Sequence, residues 1–149
     1  MFNKKTLVVV LSLSVLSGCA GSITTNPISI NSAKPVPADR LLAFQGASEG
    51  LVKITVTRDS GFLGGGCFIG FALAGQFAAR FDPEEKAEFY IEPGKVQMSA
   101  VPDPQGQGLC GAGGWDPVIE RYEIAPNETN IFRISMGMYR RPRVTRAPY

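Results

Sequence analysis

The side chains of this 149-residue chain that could do chemistry are 13 carboxylates and three cysteines, and the chain contains no histidine. Without histidine, a serine or cysteine nucleophile lacks its usual general base. Two carboxylates could still hydrolyse a glycosidic bond. Four acidic residues lie in or near a glycine-rich region: Asp103, Asp116, Glu120 and Glu123. Their spacing singles out no catalytic pair, so the sequence predicts no enzyme, no metal site and no cofactor. A carboxylate-dependent glycan hydrolase stays open as an alternative.

The first residues point to export. Lys4 and Lys5 precede an apolar run that ends in Leu16-Ser-Gly-Cys19, and this order resembles a bacterial lipoprotein signal peptide with its lipobox. The run is shorter than the roughly 20 apolar residues of a transmembrane helix. The resemblance implies that residues 1–18 are removed and that Cys19 carries acyl chains such as palmitate. The alternative is an uncleaved anchor in which Cys19 is an ordinary small residue.

The resemblance also implies a destination and a redox environment. Ala20 and Gly21 follow Cys19 where an aspartate would favour the inner membrane, so we expect the periplasmic face of the outer membrane. With Cys19 lipidated, Cys67 and Cys110 remain, and an oxidising compartment favours a disulfide between them. The disulfide would close the loop from Cys67 to Cys110, and a loop of that length predicts about 4 kcal/mol of stabilisation. Two free buried thiols or a redox pair are the alternatives, although the Cys-x-x-Cys spacing is absent.

The charge and composition of the mature chain limit its partners. Removal of Lys4 and Lys5 with the signal peptide leaves 13 charges of each sign, and a neutral chain argues against nucleic-acid binding. Residues 19–38 are rich in Ser, Thr, Asn and Pro and read as a flexible tether. Residues 39–139 are long enough for one small domain.

Residues 39–139 have the pattern of a β protein. Val52, Ile54 and Val56 alternate with polar residues, and similar runs recur between turn signals. Ala74-Gly75 predicts a hairpin, and Pro93-Gly94 predicts a type II turn. The spacing predicts a single small antiparallel β-sandwich of about seven strands. The predicted strands are 51–58, 67–73, 76–81, 86–91, 96–101, 118–124 and 129–136, with a short addition at 138–139.

Two segments fit the strand pattern poorly. Asp82-Pro83-Glu84-Glu85 resembles a helix start, with an N-cap and a proline at N1. Because the extended pattern ending at Ile91 follows directly, we expect one helical turn at most. Residues 38–44 could form a short helix or an edge strand.

A run of glycines surrounds the second cysteine of the pair. Gly106-Gln-Gly108-Leu-Cys-Gly111 matches the dinucleotide-binding pattern Gly-x-Gly-x-x-Gly. That motif requires a strand before it and a helix after it, whereas Pro102-Asp-Pro104 precedes it and Gly113-Gly114 follows it. The structural interpretation of this run is a loop in which glycine permits close backbone approach beside a disulfide.

Two groups of residues are candidate contacts for a partner. Phe62, Leu63 and Trp115 lie on the loops that flank the cysteines, where aromatic residues often bind partners. Arg140, Arg141, Arg143 and Arg146 lie within residues 140–149. These arginines predict either a solvated basic tail or contact with anionic lipid or glycan.

The chain also resembles a family. Its turns and strand ends, above all Glu92-Pro-Gly-Lys95 and Ala125-Pro-Asn-Glu-Thr129, resemble small outer-membrane lipoproteins with an uncharacterised PEGA-like β-sandwich domain. The resemblance covers about 38–136 and implies a fold more than an activity. We therefore expect a lipid-anchored binding or structural accessory of the cell envelope. Its expected partners are the membrane and an envelope protein or cell-wall glycan. An immunity or inhibitor lipoprotein is a further alternative.

Overall fold

Strands dominate the computed structural model, which describes residues 24–61, 66–112, 114–137 and 141–147. The predicted positions of Cys19, Phe62, Leu63, Arg140 and strand 138–139 lie outside these residues. The described residues form nine strands, a 3-10 turn at Ala38–Arg40 and one short helix, α1, at Leu109–Ala112. The strands are β1 Lys34–Pro35, β2 Val52–Arg58, β3 Ile69–Leu73, β4 Gln76–Phe81, β5 Glu85–Ile91, β6 Gly94–Pro102, β7 Glu120–Ile124, β8 Ile131–Met136 and β9 Pro142–Arg146.

The strands form two sheets that pack face to face. The first has the order β1-β5-β2-β8-β9 and the second has the order β4-β3-β6-β7. The predicted all-β sandwich is confirmed, with nine strands where about seven were expected. Two neighbouring pairs, β1 with β5 and β2 with β8, are parallel, and all other pairs are antiparallel.

The alternating residues predicted to face the core do so in β2, where Ile54 and Val56 are fully buried. Phe71, Phe81 and Phe89 contact one another between the sheets, with ring centroids 5.2–6.5 Å apart. In strand β4 the register with β3 shifts by one residue, so that Ala78 is left without a partner on β3. Such a bulge moves the following side chains to the opposite face.

The bulge places Phe77 outside the core. Its ring lies over Gly70, where an added Cβ would come within 2.5 Å of the ring and 2.7 Å of Val101 Cγ2. Phe77 therefore covers a glycine on the outer face of the second sheet, and Ala78 and Ala79 take up buried positions.

The chain reverses direction at the turns predicted from Ala74-Gly75 and Pro93-Gly94, but only the first of them closes a hairpin. Ala74 and Gly75 have φ of 51° and 80° and join β3 to its neighbour β4. The turn before Gly94, which has φ of 125°, leads from β5 in one sheet to β6 in the other. Asp82–Glu84 likewise crosses between sheets as a turn without a helix, with Glu84 at φ of 65°.

The segment predicted to be a tether is part of the fold from Thr25 onward. The Thr25 amide donates to Met136 O at 2.9 Å, and Asn26 pairs with Ser60. β1 then adds to β5, and Val36 is buried in the core. Backbone pairing at a sheet edge needs no amphipathic pattern of side chains. The polar composition of this segment therefore predicted a flexible tether although its backbone pairs with the sheet.

The C-terminal segment also differs from the predicted solvated tail. Pro142–Arg146 forms β9 beside β8, with Pro142 and Val144 fully buried. Pro142 and Val144 alternate with Arg143 and Thr145, so one face of this strand is largely apolar although its composition is basic. Within residues 38–44, Ala38–Arg40 forms the 3-10 turn, one of the two expected structures, and Leu41 forms a bridge with Ala79.

Candidate functional site

One end of the sandwich brings together the cysteine pair and the glycine-rich stretch that the sequence singled out. β2 and β8 finish there, and β5 and β9 begin there, because of their relative directions. The start of β3 pairs with the end of β6 at Ile69 and Pro102. We call this the disulfide end, because Cys67 and Cys110 join there with a Cα–Cα distance of 5.3 Å. The predicted disulfide is confirmed.

The disulfide joins the segment that enters β3 to the glycine-rich loop that follows β6, and a shallow cavity lies beside it. The cavity has a volume of about 240 Å³ and lies between the segment that enters β3 and the segment that follows β6. Its lining combines one aromatic ring, one ion pair and several polar loop residues: Gly66, Cys67, Phe68, Arg80, Asp103, Gln105, Gly106, Gln107 and Cys110.

Two guanidinium groups lie over the ring of Phe68. The Arg40 and Arg80 carbons Cζ lie 4.5 Å and 4.7 Å from the ring centroid, within the range of a cation–π contact. Each arginine also forms a two-pronged ion pair. Arg40 binds Glu85 at 2.7 Å and 2.6 Å, and Arg80 binds Asp103 at 2.9 Å and 2.7 Å. The hydrogen bond from Arg40 to Glu85 raises the pKa of Arg40.

Asp103 is held in its charged form. Burial opposes ionisation, but hydrogen bonds from Arg80 and from the Gln105 amide outweigh it, so the pKa of Asp103 is lowered. A carboxylate with a lowered pKa holds no proton at neutral pH and is a poor general acid. The acidic residue closest to the cavity therefore supports structure and recognition better than hydrolysis.

Arg58 links the two sheets beneath this cluster. It is the last residue of β2, and its Nη1 donates to Cys67 O at 2.8 Å and to Phe81 O at 2.6 Å. Desolvation lowers the pKa of Arg58 to about 10, so the side chain remains charged at neutral pH. Arg58 is only 3% exposed and carries a charge into the base of the disulfide end.

A second polar cluster at the same end receives the N-terminal segment. Arg133 binds both carboxylate oxygens of Asp59, with a 2.9 Å contact from Nε. Thr25 Oγ1 donates to Asp59 Oδ2 at 2.7 Å and accepts from the Met136 amide at 2.9 Å. Thr25, near the start of the described residues, is therefore attached to the disulfide end by these hydrogen bonds.

The glycines of the Gly-x-Gly-x-x-Gly stretch have a structural explanation. An added Cβ on Gly106 would lie 2.6 Å from Cys110 O, and one on Gly111 would lie 2.6 Å from Gly106 O. Gly108 has φ of 57°. A strand does precede the stretch and a helix follows, but the helix has four residues and β7 runs antiparallel to β6. This is not the βαβ unit of a dinucleotide site.

The candidate partner-binding residues are dispersed. Trp115 is half-buried against the core, and its Nε1 is buried without a hydrogen-bond partner among the described residues. Arg141 is exposed at the disulfide end. Arg143 projects from β9 and binds Glu120, with a 2.7 Å contact from Nε, so this arginine and one candidate carboxylate are paired with each other.

Arg40, Phe68, Arg80 and Arg133 build these clusters, and no motif or spacing in the sequence indicated them. The arginines could have been found as charged residues inside or beside apolar strands. A charged residue that becomes buried there requires a partner, so its position predicts an ion pair. In the described ranges, no group of three or more histidine, cysteine, aspartate or glutamate residues could hold a metal ion. No helix in the same ranges is long and apolar enough to cross a membrane.

Comparisons with known protein families, with curated proteins and with solved structures find no match to this chain. The resemblance to PEGA-like lipoproteins therefore stays a prediction.

Proposed function

We propose that this protein is a lipid-anchored accessory of the bacterial cell envelope that binds or stabilises without catalysis. The observation that carries the proposal is the disulfide end. There, the disulfide borders a shallow cavity at the same end of the sandwich as Thr25, which follows the predicted acylation site Cys19 by six residues. The proposed location is the periplasmic face of the outer membrane.

The arrangement of charge favours binding over hydrolysis. Asp103 and Glu85 are each engaged by an arginine on both carboxylate oxygens. Of the other three candidate acids near the glycine-rich region, Glu120 is paired with Arg143, Asp116 is exposed in the loop before β7, and Glu123 is exposed on β7. A glycosidase requires one protonated and one ionised carboxyl group facing a shared cleft, and paired or exposed acids suit that chemistry poorly.

Acylation is the first property to test. Cells fed an alkyne-bearing palmitate analogue should incorporate it into the wild-type protein and not into Cys19→Ser, and the wild type should fractionate with the outer membrane. Unlabelled wild-type protein would overturn the proposal.

The hydrolase alternative is tested on purified cell-wall glycan. We expect no release of fragments by the mature domain. Turnover that disappears in both Asp116→Asn and Glu120→Gln, but persists in the exposed-residue control Glu92→Gln, would replace the binding role with catalysis.

A further inference from the structure

The distance from the predicted anchor to the folded domain is short. Thr25 is already fixed by three hydrogen bonds: its amide to Met136 O at 2.9 Å, its hydroxyl to Asp59, and the Met136 amide to its hydroxyl. Asn26 adds two backbone bonds with Ser60 at 2.8 Å and 2.9 Å. Only residues 20–24 separate Cys19 from this attachment.

The sandwich is longer than this connection. Six residue steps from Cys19 to Thr25 span at most about 20 Å when fully extended. Strand β6 has nine residues, which corresponds to about 30 Å along the strand direction. If the opposite end faced the bilayer, Thr25 would stand about 30 Å above it, beyond the reach of the connection.

We infer that the disulfide end faces the membrane and that its partner is the phospholipid headgroup layer. The inference rests on the proposed acylation of Cys19 and names the partner of the same surface. The opposite end, with the turns at Ala74-Gly75 and Glu92-Pro93, then points away from the bilayer and is the end available to other envelope components.

The chemistry of the disulfide end is compatible with headgroups. Three of its carboxylates, Asp59, Glu85 and Asp103, are neutralised by arginines. Its exposed side chains include the amides of Gln105 and Gln107 and the cations of Lys34 and Arg141. Asp82 and Glu84 also lie at this end and are half-buried, so the short connection and not net charge sets the orientation.

The test compares two exposed positions at opposite ends of the acylated full chain. An azide-bearing amino acid replaces Gln107 at the disulfide end or Glu92 at the other end, and each is coupled to the same fluorophore. The protein is reconstituted into phosphatidylethanolamine–phosphatidylglycerol vesicles that contain a headgroup nitroxide quencher. We expect loss of fluorescence at position 107 and little loss at position 92.

Two controls separate the causes. Insertion of 20 Gly/Ser residues between Gly21 and Ser22 should remove most of the difference between the two positions, because the longer connection allows every orientation. Cys19→Ser should abolish quenching at both positions. Equal quenching at positions 107 and 92 in acylated protein, or a difference unaffected by the insertion, would overturn the orientation and leave the proposed acylation intact. Absence of acylation would overturn both.

Discussion

The Thr25 hydroxyl donates to Oδ2 of Asp59 at 2.7 Å, and Asp59 is itself held by Arg133 of β8. This bond joins the N-terminal segment to the interior polar cluster of the first sheet. The composition of this segment predicts a flexible tether, but the bond makes the segment a fixed part of the domain.

Thr25→Val should release this segment. The substitution removes the bond to Asp59 and the bond from the Met136 amide, and we expect the free energy of unfolding to fall by about 1–2 kcal/mol. Amide hydrogen exchange at Asn26 should accelerate, because its bond to Ser60 depends on the same attachment. Thr129→Val, at an exposed position, is the matched control. Unchanged protection at Asn26 would contradict a structural role for Thr25.

Arg58→Lys should weaken the link between the sheets. The guanidinium donates hydrogen bonds to Cys67 O and Phe81 O together. An ammonium group is a point charge with different geometry and should not reproduce both bonds. We expect a loss of about 2 kcal/mol, measured by urea denaturation. Arg121→Lys on β7, where the arginine is exposed, should leave the midpoint unchanged. Equal midpoints for both variants would show that the buried bonds contribute little.

Asp103→Asn should destabilise the protein at neutral pH and change its acid sensitivity. Because the pKa of Asp103 is lowered by folding, its contribution is fully present above the unfolded pKa of about 3.9 and is lost as pH falls through the folded value. Removing the charge leaves the Arg80 guanidinium without its carboxylate counter-charge, which costs about 3 kcal/mol.

The measurement is the free energy of unfolding of wild type and Asp103→Asn from pH 7 down to pH 2. The difference between the two proteins should be constant above about pH 5 and shrink below about pH 4. Asp116→Asn, at an exposed position, should track the wild type. A difference that persists unchanged at pH 2 would mean that the loss arises from packing and not from the charge.

Gly106→Ala should destabilise the disulfide end, and Gly114→Ala should not. A methyl group on Gly106 would meet Cys110 O at 2.6 Å, whereas one on Gly114 has nothing within 4 Å. Backbone atoms cannot move aside as a side chain does, so we expect a loss of about 2 kcal/mol for Gly106→Ala. Thermal unfolding of the two variants checks this. Equal melting temperatures would show that the loop relaxes around the added methyl group.

Local pattern predicted much of this fold. The alternation of Val52, Ile54 and Val56 identified a half-buried strand, because side-chain direction in a strand follows a period of two. The turn chemistry of Ala74-Gly75 identified the hairpin, because positive φ is a local requirement. The disulfide between Cys67 and Cys110 was predicted from cysteine count and compartment, and the structure forms it.

Other features depended on neighbours that are distant in sequence. The pairing of β1 with β5 and of β9 with β8 uses backbone groups, which every residue carries, so composition could not reveal it. The bulge that turns Phe77 outward is visible only against its partner strand. The turns at 92–95 and 125–128 specify a reversal, but packing of the two sheets decides that they cross between sheets.

The candidate site divides in the same way. The fold class, the cysteine pair, the lack of histidine and the lipobox-like Leu16–Cys19 could be read from the residues alone. The contacts of Arg40 and Arg80 with the Phe68 ring and the attachment of Thr25 at the disulfide end depend on the folded arrangement. Periodicity and turn propensity act over a few residues, whereas ion pairs such as Arg40–Glu85 and Asp59–Arg133 join residues 45 and 74 positions apart. Their partners are chosen by the packing of the sheets.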